Sequence, residues 1–262
     1  MRGRLVLSLV VVTTVAAFVA TAAAAVPTDT VVVPRGQPVE IAFTAITLEG
    51  EELAAFTTSF RRAIALAIAL NPRVRGFPVQ VNTVETSCGG DNTGAANTIV
   101  GNGQNVGIIG HICSDGFVTA LPVYEAAGVV TISGSATRES LPTLGPTVFN
   151  RLHVHDGDGA EAWYAAVTSS PVNRAWQRIY RFIYGEDPTP LADLYFDATR
   201  LLLARIEETA RVVQRRLIID RSALAAAVRH TQGFFGVTCP ITIDPATGNR
   251  VNDPASLSAC TQ

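Results

Sequence analysis

A parallel β-sheet with helices on both faces, the α/β class, is predicted by three features of this sequence. Segments with strand and helix periodicity alternate from residue 38 to residue 133. The segments 106–112 and 129–133 are continuous apolar runs, as in strands covered on both sides. Breakers stand where helices should stop, at Asn71-Pro72, at Gly101 to Gly103 and at Gly128. Such alternation makes the sheet parallel, because consecutive parallel strands need a helical crossover.

Taken in order, residues 38–46 alternate Val39, Ile41 and Phe43 inward and read as the first strand. Residues 52–70 carry Leu53, Phe56, Phe60, Ile64, Ala67 and Ile68 at helical spacing, and Pro72 ends that helix. Residues 77–84 form the next strand, with Val79 and Val81 inward. Asp91 is placed to cap a helix running to Val100, and Ser114 to cap one running to Ala127. The two apolar strands follow these helices. In a sheet of this kind ligands bind outside the carboxyl ends of the strands, which singles out the loops 111–116 and 134–139. The second half changes character. A strand at 147–154 precedes helices at 159–167 and 172–184, separated by Thr168-Ser169-Ser170-Pro171. A strongly amphipathic helix at 191–208 turns Leu191, Leu194, Tyr195, Ala198, Leu201, Leu202 and Ile206 to one side. A helix at 221–231 and a hairpin over 236–251, turning at 244–249, close the chain.

The 262 residues are 48% hydrophobic and 16% charged, enough for one good core or for a domain with an appendage. A formal charge of -2 gives no electrostatic footprint for nucleic acid. The chain contains no Lys, which excludes Schiff-base and pyridoxal chemistry and a P-loop lysine. Residues 1–25 read as a signal peptide: Arg2 and Arg4, an apolar run from Leu5 to Ala20, then Ala23-Ala24-Ala25 as a cleavage site. A retained anchor is the alternative. An exported chain meets an oxidising compartment, so Cys88, Cys113, Cys239 and Cys260 are read as disulfides. Four cysteines allow three pairings, and proximity in sequence favours Cys88 with Cys113 and Cys239 with Cys260. Zinc is the rival, without the C-x-x-C spacing that would support it.

Other chemistry is weakly signalled. His153, His155, Asp156 and Asp158 form the most metal-like cluster, but alternate strand residues face opposite sides and the neighbouring glycines suggest a loop. No metal site is therefore assigned, and no cofactor. Gly101, Gly103 and Gly107 lie before a strand, the reverse of the dinucleotide fingerprint. His111 near Ser114 lacks the G-x-S-x-G elbow of a hydrolase. Arg205, Arg211, Arg215 and Arg216, mixed with Glu207 and Glu208, read as a solvated face.

The stretches Gly110-His111-Ile112-Cys113-Ser114, Pro122 through Ser133, and Ser135-Ala136-Thr137 resemble the leucine/isoleucine/valine-binding proteins of branched-chain amino acid ABC transporters, which have the type I periplasmic-binding-protein fold. Cys88 and the following Asp91 fit as well, since that family joins the equivalent position by a disulfide to the Cys before its binding Ser. Tyr184 through Pro190 with Asp197-Ala198, and Phe235 through Asp244 with Gly248-Asn249-Arg250, are similar to the family's late segments.

The resemblance implies an extracytoplasmic, secreted or periplasmic solute-binding protein that has no enzymatic activity and feeds an ABC permease with branched-chain amino acids or similar small amphipathic solutes. It implies that Ser114 and Thr137 bind the ligand carboxylate and that backbone groups of Ser135 help hold its ammonium. It also exposes a departure. The family has two lobes, and here only residues 156–172 stand where the second should be, too few for a lobe with its own core. The expected organisation is a signal peptide at 1–25, the first part of the first lobe at 26–155, a short connection at 156–172, helices returning to that lobe at 173–235, and a hairpin with tail at 236–262. A sensor or interaction subunit built from one lobe, and a metal-dependent hydrolase around His153 and His155, are the alternatives.

Overall fold

The computed structural model describes residues 29–155, 159–251, 258 and 260. The leader expected at 1–25, Asp156 and Asp158 lie outside the described residues. The chain runs β1 (Thr30–Val33), β2 (Val39–Ala45), α1 (Glu51–Leu70), β3 (Arg73–Val74), β4 (Phe77–Glu85), α2 (Thr93–Gly101), β5 (Asn105–Ile109), α3 (Ser114–Ala127), β6 (Val130–Ser133), α4 (Leu141–Leu144) and β7 (Phe149–Arg151). It continues with α5 (Ala160–Thr168), α6 (Pro171–Tyr184), α7 (Ala192–Thr209), β8 (Arg211–Val213), β9 (Arg216–Asp220), α8 (Arg221–Arg229), β10 (Phe234–Gly236) and β11 (Cys239–Ile241).

The central sheet has six strands in the order β3-β4-β2-β5-β6-β7. All pairings are parallel except β3 with β4, an antiparallel hairpin. From β2 the chain steps outward to β4 and then crosses back to β5 on the other side, so the order reverses beside β2. That reversal opens a crevice at the carboxyl ends of β2 and β5, the usual place for a ligand in such a sheet.

Both faces are covered. On one, Ile41, Phe43 and Ala45 of β2 meet Phe60, Ile64 and Ala67 of α1 and Leu201 and Leu202 of α7. Phe60 stacks on Tyr195 with ring centroids 4.1 Å apart. On the other, Ala42 and Ile108 meet Ala96 and Ile99 of α2 and Phe117, Leu121 and Tyr124 of α3. Period-two alternation along β2 thus sends successive side chains into two separate cores.

The described residues hold one parallel sheet. After β7 the chain passes through α5 and α6 and is back against the sheet at α7. Ser170 caps α6, its Oγ accepting from Asn173 N at 3.3 Å, and Pro171 follows at the first helical position. The sequence reading omits a second sheet, β1-β9-β8, in which Thr30 pairs with Asp220 and the β8–β9 hairpin carries Arg211, Arg215 and Arg216, three of the four arginines read as a solvated face. The expected closing hairpin is displaced. Its strands are β10 and β11, while residues 244–249 turn the chain so that Ile243 bridges Arg250.

Candidate functional site

Four loops gather at the carboxyl edge of the sheet: those following β2, β4, β5 and β6. They are fastened to one another before any ligand is considered. Cys88, after β4, is disulfide-bonded to Cys113, after β5, with Cα atoms 5.0 Å apart. Asn92, almost fully buried, accepts from Ser87 N at 2.9 Å and donates to Ser87 O at 2.9 Å and Gly116 O at 3.0 Å. Gly116 is needed for this contact, because a Cβ there would lie 2.2 Å from Ser87 O. Glu49, after β2, receives Cys88 N at 3.0 Å.

Ser114 begins α3 but is not its cap. Cys113 holds the cap position in extended conformation, with no side-chain capping bond. The Ser114 hydroxyl turns instead to the β6 loop, where its Oγ accepts from Thr137 N at 3.0 Å and Arg138 N at 3.2 Å. Asp91 likewise stands one residue ahead of the α2 cap, Asn92, and accepts from Thr93 N at 2.8 Å. Ser114 and Thr137 are therefore brought together at the start of α3, where the helix dipole and free backbone N–H groups favour a negative charge. Asp115 would oppose such a charge, but Arg138 pairs with it across the same two loops.

Ser135 is held more tightly. Its N–H donates to Ser133 Oγ at 3.2 Å and its hydroxyl to Ile112 O at 2.6 Å, with Tyr195 Oη 2.7 Å away. Ser133, fully buried, also accepts from Ala136 N at 2.9 Å and donates to His111 O at 2.7 Å, tying the two loops together beneath the shelf. Ser133, Tyr195, Asn92 and Arg138 were not singled out by sequence. Of these only Tyr195 carried a signal, its place on the apolar stripe of α7.

His111 lies under this floor. It is buried, its Nε2 is 2.9 Å from Tyr124 Oη and its ring stacks on Phe117. Burial lowers its pKa to about 3, so it is a neutral structural ring rather than a base for Ser114. His153 packs on Trp163 and Tyr164, with Nδ1 2.7 Å from Val154 O. Among the described residues no group of three or more His, Cys, Asp or Glu is placed to hold a metal ion.

A second polar cluster anchors the end of the chain. Asp197 of α7 is fully buried and accepts from Val237 N at 3.0 Å, Thr238 N at 2.8 Å and Thr238 Oγ1 at 2.6 Å. Asp193, one turn earlier, accepts from Tyr164 Oη at 2.9 Å and Asn173 Nδ2 at 2.6 Å, and burial raises its pKa to about 6. Arg250, also buried, donates to Leu152 O at 3.3 Å and Thr238 Oγ1 at 3.0 Å and lies over the Trp163 ring at 4.8 Å. Cys239 is disulfide-bonded to Cys260, with Cα atoms 5.2 Å apart.

An α/β lobe with its switch point at β2 has the architecture of a type I periplasmic-binding-protein lobe, and solved structures of ABC transporter substrate-binding proteins share the fold. The branched-chain amino acid transporter substrate binding protein LivJ from Streptococcus pneumoniae, in complex with isoleucine, superposes with a TM-score of 0.63 at 16% identity, covering 82% of this chain and 94% of that one. A leucine binding protein from Thermotoga maritima gives 0.60 at 16%, covering 81% and 93%. A solute binding protein from Rhodopseudomonas palustris in complex with 3,4-dihydroxybenzoic acid gives 0.66 at 14%, covering 82% and 91%. At these identities the likeness is one of fold. No protein-family model matches the chain, and no curated protein matches it.

Proposed function

We propose that this protein is an extracytoplasmic solute-binding protein of an ABC transporter, with no enzymatic activity, and that it receives the carboxylate of a branched-chain amino acid or a similar small amphipathic acid on the Ser114–Thr137 shelf. One observation carries this reading: the Ser114 hydroxyl is bonded to two backbone N–H groups of the neighbouring strand-to-helix loop. A carboxylate docking there would take Thr137 N and Arg138 N as donors, and Ser114 Oγ would turn to donate in its own right. The fold supports the reading, since isoleucine and 3,4-dihydroxybenzoic acid, the ligands in two of the structures with this fold, share a carboxylate.

The organisation that goes with it is a leader at 1–25, one lobe, and a short connection at 156–172 in place of a second. A single lobe supplies no jaw to close over the solute and no partner for its ammonium, which must then stay hydrated. Binding by the isolated chain is accordingly weak, in the millimolar range, about -4 kcal/mol. Calorimetry with leucine, isoleucine, valine and 4-hydroxybenzoate tests this. At least one should bind weakly, and Ser114→Ala should remove the heat. No heat from any of them, or binding indifferent to Ser114→Ala, would overturn the proposal. Low-micromolar affinity removed by Ser114→Ala would keep the shelf and overturn the need for a second jaw.

A further inference from the structure

At the opposite end of the sheet, where β2 and β4 begin, three tight turns converge. One is the turn at 34–37, closed by Gln37 N donating to Pro34 O at 3.1 Å, with Gly36 at φ 83°. The second is the tip of the β3–β4 hairpin, Arg75 at φ 50° and Gly76 at φ 86°. The third is the tip of the β8–β9 hairpin, Gln214 at φ 48° and Arg215 at φ 64°. Together they enclose a groove of about 390 Å³ with Arg35, Arg73, Arg75 and Arg215 around it and Phe77 and Val212 among the apolar side chains of its wall.

Four arginines and no acidic residue line this groove. The chain as a whole is slightly acidic, with 20 basic residues against 22 acidic ones, so the concentration is local. Among the described residues Arg35, Arg73 and Arg215 make no ion pair, and Arg73 donates to Gly76 O at 2.8 Å within its own hairpin. Arg75 reaches Glu207, outside the groove, at 3.7 Å. Both hairpin tips place an Arg in the left-handed region, a position where Gly or Asn sits without steric cost. Like charges held together on rigid turns repel, and an anion between them relieves that repulsion while meeting planar donors suited to two-pronged contact with phosphate or carboxylate.

We propose that this groove is an oxyanion-binding site, separate from the Ser114 shelf, that takes a small polyvalent anion bearing phosphate or carboxylate groups. Several arginines around one groove call for at least two negative charges on the ligand. The apolar wall accepts an organic body between them. The site lies roughly 20 Å of strand away from the shelf, at the other end of β2, and does not depend on what the shelf binds.

The test is calorimetric titration of the full chain with pyrophosphate and with citrate, repeated with Arg35→Gln, Arg215→Gln and the double variant. Both side chains are exposed on turns, and unchanged melting temperatures will show that the variants fold. Saturable one-to-one binding is expected, weakened about tenfold by each substitution. Non-saturable uptake, or equal affinity in the double variant, means that the groove attracts counterions only and overturns the proposal. Binding to phosphatidylglycerol vesicles without binding of either free anion would assign the arginines to a membrane surface and overturn it equally.

Discussion

Replacing Asp197 with Ala should cost this protein about 3 kcal/mol of stability. The carboxylate accepts from Thr238 N and Thr238 Oγ1, both buried, and from the part-buried Val237 N. An orphaned buried donor costs about 1–3 kcal/mol, and one able to rehydrate costs less, so the three losses sum to about 4 kcal/mol. Part is offset. Burial raises the pKa of Asp197, so folding already bears a penalty for its charge, and removing the charge relieves it. Gly236→Ala should act on the same bonds, because its Cβ would stand 2.3 Å from Asp197 Oδ2. Urea unfolding followed by circular dichroism measures both variants, and a fall in melting temperature of about 6–12 °C should accompany the Asp197→Ala loss. An Asp197→Ala protein within about 1 kcal/mol of wild type would refute the view that this carboxylate anchors the end of the chain.

Three further outcomes follow from the same structure. His111 has a depressed pKa when folded, so its contribution is complete above the unfolded value of 6.5 and is lost as pH falls toward about 3. Between pH 7 and pH 5 wild type should lose about 2 kcal/mol more than His111→Gln, by denaturation at each pH, and parallel losses would contradict a neutral buried ring. Asp193 behaves in the opposite sense. Its folded pKa is raised to about 6 by burial, so the cost of its charge is complete above that pH and disappears as pH falls from about 6 to about 4. A carboxyl-carbon NMR titration should place its midpoint near 6, and a midpoint at or below 4 would be inconsistent with the burial. Opening the Cys88–Cys113 bond with a double Ser substitution releases a link across 25 residues and should cost about 3 kcal/mol in thermal unfolding, against a negligible change if the loops held themselves.

Much of the lobe was legible because its signals are local. The alternation of Val39, Ile41 and Phe43, the apolar run ending β5 and the stripe on α7 each report which face is buried, and no distant partner is needed to read them. The β1-β9-β8 sheet was not legible. Its strands are three to five residues long, too short for a periodicity to show, its outer one is exposed throughout, and β1 finds its partner some 190 residues away in sequence. The site divides in the same way. The resemblance named Ser114 and Thr137, and the structure puts them in one hydrogen-bonded unit. Sequence alone made Ser114 an N-cap, the commonest use of a Ser there. The true acceptor role depends on two N–H groups 23 and 24 residues further on. The pairing of Arg138 with Asp115, which offsets a charge hostile to an anion, likewise joins residues 23 apart.

The fold also separates what the shelf does from what holds it. Ser133, Asn92 and Gly116 bond the loops to each other beneath the shelf, and the Ser114 hydroxyl bonds them at its half-buried surface. On the proposed function, such a shelf is fixed in place before a solute arrives, which lowers the ordering cost of binding.

The most direct measurement is a crystal structure of the chain grown with saturating leucine. One carboxylate oxygen should lie within hydrogen-bond distance of Thr137 N and Ser114 Oγ, with the ammonium near the Ser135 carbonyl and the side chain open to solvent. Leucine bound elsewhere, or a Ser114 hydroxyl still engaged with Thr137 N and Arg138 N beside an unliganded shelf, would contradict the account.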